Sequence, residues 1–82
     1  MNPIVAILFV GALGTAVADM KPAGVVLTFE SERGCYLGMA LGIERLNEKF
    51  PTKDFAASCG RSERLTMNEL ATRAMKDEGD RR

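Results

Sequence analysis

Two cysteines, Cys35 and Cys59, are the side chains of this 82-residue sequence that offer the clearest chemistry. They do not form a CxxC motif, and the sequence contains no histidine that would activate a thiolate. An even number of cysteines in a small domain is typical of a structural disulfide in an exported protein. We therefore predict a Cys35–Cys59 disulfide, which would stabilise the fold by about 3–4 kcal/mol in the chain-entropy model.

Other catalytic chemistry finds little support in the sequence. Without histidine, two cysteines cannot complete a zinc site, and neither a Ser-His triad nor an HExxH metalloprotease motif is present. Glu30 and Glu32, beside Arg33, are the nearest candidates for acid–base catalysis. Nothing around them predicts the burial that raises the pKa of a carboxyl group, so we interpret them as solvated charges. We expect no enzymatic activity, no cofactor and no metal.

The charge balance argues against a nucleic-acid partner. Eleven basic residues match 11 acidic residues, so the net charge is zero. The basic residues Arg61, Arg64 and Arg73 alternate with Glu63 and Glu69 and therefore predict no phosphate-binding patch.

The N-terminal segment carries no charge before Asp19. The run 4–18 would rise about 22 Å as a helix, which is short of the roughly 30 Å of a bilayer core but typical of the apolar region of a signal peptide. Ala16 and Ala18 match an A-x-A cleavage site, with Asp19 as the new N-terminus. We therefore predict a signal peptide over residues 1–18.

Two alternatives to cleavage remain open, because residues 1–3 contain no lysine or arginine. Residues 1–18 reach the lower limit for a membrane span, so the segment could be a retained anchor with Lys21 at the interface. It could also be an apolar arm of a cytosolic protein. Contact with a membrane is expected only through residues 1–18, if they are not removed.

The remaining sequence predicts one small domain. After a linker at 19–24, the apolar pattern predicts, in order, a strand at 25–29, a helix at 32–50 with Ser31 as N-cap, a strand at 55–59 and a helix at 66–78. The second helix begins with the capping box Thr66-x-x-Glu69. Gly79 is expected to end it, which leaves residues 79–82 as a tail.

The order strand, helix, strand predicts that the two strands run parallel and that both cysteines lie at the same edge of the sheet. The predicted fold is therefore a small α+β domain, β-α-β-α, with two short strands, two helices and one disulfide. An apolar signal or anchor helix precedes it.

A possible interaction face lies on the first predicted helix. Gly34, Gly38 and Gly42 recur every four residues, a spacing that lets another backbone approach closely, and Leu37 and Leu41 flank them. Self-association or partner binding through this face competes with ordinary packing beneath the second helix. The edge of so small a sheet would also invite strand addition.

The order of an apolar leader, a VVLTF strand, an acidic turn, a helix with Cys35 near its start and a segment ending in Cys59 resembles small uncharacterised exported proteins of bacteria and phages. The resemblance covers about residues 25–59. It implies a compact βα unit in an oxidising compartment and transfers no functional residue.

These observations favour a periplasmic or secreted, non-enzymatic binding or accessory protein whose protein partner is unknown or is a second copy. The first alternative is a single-pass, membrane-anchored protein of an envelope or phage-encoded complex. The second is a minimal redox or hydrolytic enzyme, which would require a free thiol or a pocket that the sequence does not predict.

Overall fold

The computed structural model describes residues 2–61 and 63–80 and has an α+β architecture. Its elements, in chain order, are β1 (Ile4–Ala12), a short 3-10 turn (Val17–Asp19), β2 (Lys21–Phe29), α1 (Glu32–Lys49), β3 (Lys53–Cys59) and α2 (Met67–Asp80). The strands form one antiparallel sheet in the order β2-β1-β3. Both helices contribute buried side chains to the core on one face of this sheet.

The predicted fold class is wrong at the N-terminus, where there is no apolar helix. The segment forms β1, the middle strand of the sheet, with a partner on each side. Ala6 and Leu8 contribute to the core beneath the helices, whereas Phe9 is buried on the opposite face. A strand covered on both faces has no polar alternation, so its sequence cannot be separated by periodicity from that of an apolar helix.

The predicted pair of adjacent parallel strands is also wrong. β2 and β3 do run in the same direction and are connected through α1, but β1 lies between them and is antiparallel to both. The missing strand comes from the segment that the sequence assigned to a leader. The predicted linker 19–24 likewise belongs to the 3-10 turn and to β2, which begins at Lys21 rather than at residue 25.

α1 follows its sequence pattern closely. The Ser31 hydroxyl accepts a hydrogen bond from the Gly34 N–H at 3.0 Å and caps the helix, which ends one residue before Phe50. Cys35, Met39 and Ile43 form its buried stripe.

α2 begins with the predicted capping box. The Thr66 N–H donates to the Glu69 carboxylate at 3.0 Å, and the Glu69 N–H donates to the Thr66 hydroxyl at 3.3 Å. Leu70 and Ala74 are its buried core residues. The helix continues to Asp80 rather than stopping at Gly79, and the last two residues of the predicted tail lie outside the described residues.

The face of the sheet opposite the helices has a small cluster of its own. Phe9, Met20 and Ala56 are buried there. The Arg64 guanidinium lies over the Phe9 ring at 4.0 Å from its centroid and donates to the Met20 carbonyl at 2.7 Å. It also donates at 3.3 Å to the carbonyls of Val17 and Ala18, so it ties the 3-10 turn to the sheet.

Candidate functional site

The predicted disulfide is confirmed. Cys35, in the first turn of α1, is bonded to Cys59 at the end of β3, with a Cα–Cα distance of 6.0 Å. The two residues are 0% and 4% exposed, which leaves no accessible sulfur for thiol exchange. The bond therefore joins α1 to the sheet, and such a bond indicates an oxidising compartment.

The charged candidates of the sequence do not assemble into a site. Glu30 and Glu32 are exposed where β2 leads into α1. Within residues 2–61 and 63–80, no group of three histidine, cysteine, aspartate or glutamate side chains could hold a metal ion. Arg73 forms an ion pair with Glu63 at 2.6 Å, and its hydrogen bond to the Tyr36 hydroxyl is the main cause that raises the pKa of the guanidinium.

The most unusual surface of the molecule is the outer edge of β2. All residues of this strand are exposed except Phe29, which is half-buried, and Val26 and Leu27 remain 62% and 46% exposed. We define the β2 edge as residues 25–29, the part that follows the irregular pairing at Gly24. Uncharged, mostly apolar side chains therefore occupy a strand whose outer edge has no partner strand.

The directions of the hydrogen bonds identify the groups that the β2 edge offers. The Gly60 N–H donates to the Val5 carbonyl, and the Leu13 N–H donates to the Thr52 carbonyl. The odd-numbered residues of β1 therefore form their backbone hydrogen bonds on the side of β3. Since backbone groups alternate along an antiparallel strand, even-numbered residues of β1 bond to β2. Ala6 pairs with Leu27, so the N–H and C=O groups of Leu27 point towards β1. The same groups of its neighbours Val26 and Thr28 therefore point outward.

An apolar groove runs between the β2 edge and α1. Its volume is about 280 Å³. The residues that line it are Leu8, Val25, Leu27, Gly38, Met39, Gly42, Ile43 and Leu46. None of the α2 side chains that the structure describes lines this groove, so the glycine side of α1 faces β2 there rather than the second helix.

The glycines of the predicted interaction face have three different surroundings. Gly34 lies at the Ser31 cap, and a Cβ on Gly38 would lie 2.6 Å from the Phe29 ring. Gly42 has no atom within 4 Å of where its Cβ would be, so it leaves the groove open. Leu37 and Leu41 are exposed on α1.

Sequence reasoning missed the strand side of this groove. The sequence predicts a strand at 25–29 but not that Val25 and Leu27 are exposed, which they are because α1 leaves β2 largely uncovered. A sequence signal did exist, since residues 22–29 contain no charge that would protect an edge strand. This signal indicates an open edge only when β1 is known to be the central strand and β2 an outer one.

The opposite edge of the sheet is protected. Leu65 pairs with Ala57 through two backbone hydrogen bonds of 2.8 and 2.9 Å, and its side chain is buried in the core. The segment before α2 therefore covers the middle of β3. Among the described strands, β2 is the one whose outer hydrogen-bonding groups face no other chain segment.

The predicted cleavage site lies in the 3-10 turn between β1 and β2. Ala16 precedes the turn, while Ala18 and Asp19 are part of it and are exposed. Cleavage before Asp19 would separate β1 from the rest of the sheet.

Comparisons with protein-family models, curated proteins and solved structures find no match to this chain. In the described part of the chain, neither helix combines the length and the apolar character needed to cross a membrane.

Proposed function

We propose that this protein is a non-enzymatic binding protein of the periplasm or the extracellular space, which pairs with a polypeptide strand along the β2 edge. The observation that supports the proposal most directly is that the free strand edge and the apolar groove lie side by side. Main-chain pairing would supply affinity, and the groove would select an apolar side chain.

The start of β2 is protected against pairing, whereas its second half is not. Pro22 lacks an N–H group, and Gly24 has a φ of +82° in the irregular part of the strand. Both features discourage a partner strand there. The five residues of the β2 edge are uncharged and rich in β-branched side chains, and residues 26–29 pair regularly with β1, so this part of the strand defines where pairing would occur.

The groove favours an apolar ligand side chain. Its lining contains no charged side chain, and the hydrogen-bonding groups of Val26 and Thr28 lie beside it. Burying a charged or unpaired polar group there would carry a desolvation cost that nothing in the lining offsets. The groove therefore suits an extended segment that places an aliphatic residue towards α1.

The proposed location follows from the Cys35–Cys59 disulfide, which is typical of an oxidising compartment. Since β1 is the central strand, we expect the folded exported protein to retain residues 4–12 rather than begin at Asp19. The intact mass of protein recovered from the periplasm, before and after reduction and alkylation, tests both points. A mass that begins at Asp19, or thiols that alkylate without reduction, would contradict them.

A photo-crosslinking amino acid at Val26 tests the binding surface. Leu13 is the matched control because it is an exposed apolar residue, 67% accessible, outside the β2 edge. We expect a protein adduct, with another copy or with a different polypeptide, from position 26 and not from position 13. Equal labelling from both positions, or none from position 26, would refute the proposed surface.

A further inference from the structure

We infer that the strand bound at the β2 edge is the β2 edge of a second copy of this chain, so that two sheets join into one six-stranded sheet. This inference rests on the proposed function and identifies its partner. The two copies are related by a two-fold axis that passes between the two Leu27 residues, perpendicular to the sheet.

The hydrogen-bonding pattern selects this register. The outward groups belong to Val26 and Thr28, and an antiparallel partner placed about Leu27 sets each Val26 opposite a Thr28 of the other copy. Each such pair exchanges two hydrogen bonds, so the register satisfies all of these outward groups in both chains. A two-fold axis at Val26 instead would pair Thr28 with Gly24, whose φ of +82° is not that of a regular strand.

The same axis also covers the apolar surface. Val25, Leu27 and Phe29 share the helix face of β2, and the register places Leu27 against Leu27 and Val25 against Phe29 of the second copy. Residues opposite each other in an antiparallel pair lie on the same face of the sheet. The two β2–α1 grooves therefore merge into one apolar seam beneath the two copies of α1.

Charge complementarity supports a second copy as the occupant. The axis relates the two α1 helices antiparallel to each other, with their glycine sides facing. Arg45 and Lys49 continue that side towards the C-terminal end of α1, with Glu44 and Glu48 beside them in the same turns, while Glu30 and Glu32 lie at the N-terminal end, next to Arg33. The two-fold operation therefore brings Arg45 and Lys49 of each helix towards Glu30 and Glu32 of the other.

The β2 edge lies beside the longest helix of the protein. α1 is about 27 Å long, which exceeds the two shorter dimensions of a chain measuring 38 × 23 × 21 Å, so the groove runs along the long axis. A second copy that pairs here would therefore contact one of the long sides of the chain.

Protection of the other edge makes the assembly closed. Because Leu65 pairs with Ala57 in the middle of β3, that edge offers no continuous run of free backbone groups, whereas the β2 edge does. Two β2 edges that satisfy each other leave no equivalent edge for a third copy. The expected species is therefore a dimer rather than a fibre.

Symmetric crosslinking tests the register directly. The axis places the two Leu27 Cα atoms about 4.5 Å apart, within reach of a disulfide, whereas the two Val26 Cα atoms are offset along the strands to about 8 Å and cannot be bridged. Under mild oxidation, Leu27→Cys should form a covalent dimer with the native Cys35–Cys59 bond intact, and Val26→Cys should not. Equal crosslinking of both variants would overturn the inferred register.

Sedimentation equilibrium of the unmodified chain tests the association itself. We expect a dimer that Leu27→Arg weakens at least about tenfold, because it places two like charges on the axis, while the control Leu13→Arg leaves it unchanged. A chain that stays monomeric up to about 1 mM, or a dimer that both variants weaken equally, would overturn the inference. A monomer that still gives adducts with a different protein from position 26 would preserve the proposed function and refute the second copy.

Discussion

The two outer strands of the sheet have opposite surroundings. β3 is packed beneath α1, is joined to it by the Cys35–Cys59 disulfide and is covered at its edge by Leu65. β2 packs against β1 but has few contacts with α1, so nearly its whole length is exposed. The β3 half therefore supplies most of the buried core, whereas the β2 half presents unpaired backbone groups.

Composition does not explain this difference. β2 reads KPAGVVLTF and β3 reads KDFAASC, so the exposed strand carries the larger aliphatic side chains. Small residues such as Ala56 and Ala57 are completely buried in β3, while Val26 in β2 is largely accessible. Apolar surface that the fold leaves uncovered on one continuous side is typical of an interaction surface. We therefore interpret the open half as the proposed binding surface rather than as a weak part of the core.

The largest expected effect comes from removing the strand that both halves share. A chain that begins at Asp19 lacks β1, so β2 and β3 lose their common partner and the core loses Ala6, Leu8 and Phe9. Since the net stability of a domain this size is about 5–10 kcal/mol, we expect complete loss of the folded state. Circular dichroism on heating checks this, with the full chain as control. A cooperative transition in the shortened chain would contradict the central role of β1.

The next effect is specific to the β3 half. Replacing both cysteines by alanine removes the bond between α1 and β3 and should lower the free energy of unfolding by about 3–4 kcal/mol. Urea titration of the double variant, compared with the oxidised wild-type chain, gives this quantity, and the reduced wild-type chain should behave like the double variant. A loss below about 1 kcal/mol would show that the bond adds little to the fold.

The difference between the two halves also explains what the sequence could and could not predict. α1, its Ser31 cap and the disulfide depend on local periodicity and on two cysteines, and these are visible in the sequence. The position of β1 depends on pairing with residues about 20 and 50 positions further along the chain, for which no local pattern exists. An uncharged run before Asp19 satisfies the rules for a signal peptide and for a doubly covered strand equally well. The sequence predicts that an edge of the sheet invites strand addition, but which edge stays open could not be predicted because it depends on that assignment.

A smaller effect is expected on the free energy of unfolding when either of two glycines on the open side is replaced by alanine. Gly42→Ala places a methyl group in free space and should stabilise the chain by about 0.5–1 kcal/mol through helix propensity. Gly38→Ala gains the same propensity but pushes against the Phe29 ring, so we expect it to be less stable than Gly42→Ala by about 1 kcal/mol or more. Urea titration compares the two variants, at protein concentrations below those at which the inferred dimer forms. Equal stability would mean that Phe29 moves freely and that α1 and the β2 edge are not in firm contact.

The smallest effect tests whether the β3 half can be destabilised without changing dimerisation through the β2 half. The Thr66 N–H is the main cause that lowers the pKa of Glu69, and the Thr66 hydroxyl contributes further. A carboxyl group whose pKa is lowered by folding stabilises the protein above its unfolded pKa, and the contribution is lost as the pH falls through the lower folded value. Glu69→Gln should therefore cost about 0.5 kcal/mol at pH 7, and this cost should disappear as the pH falls through the lowered pKa of Glu69 in the folded state. Because none of the described α2 side chains lines the β2–α1 groove, this variant should leave the dimer dissociation constant unchanged. A change in both quantities would show that the two halves are energetically coupled through α1.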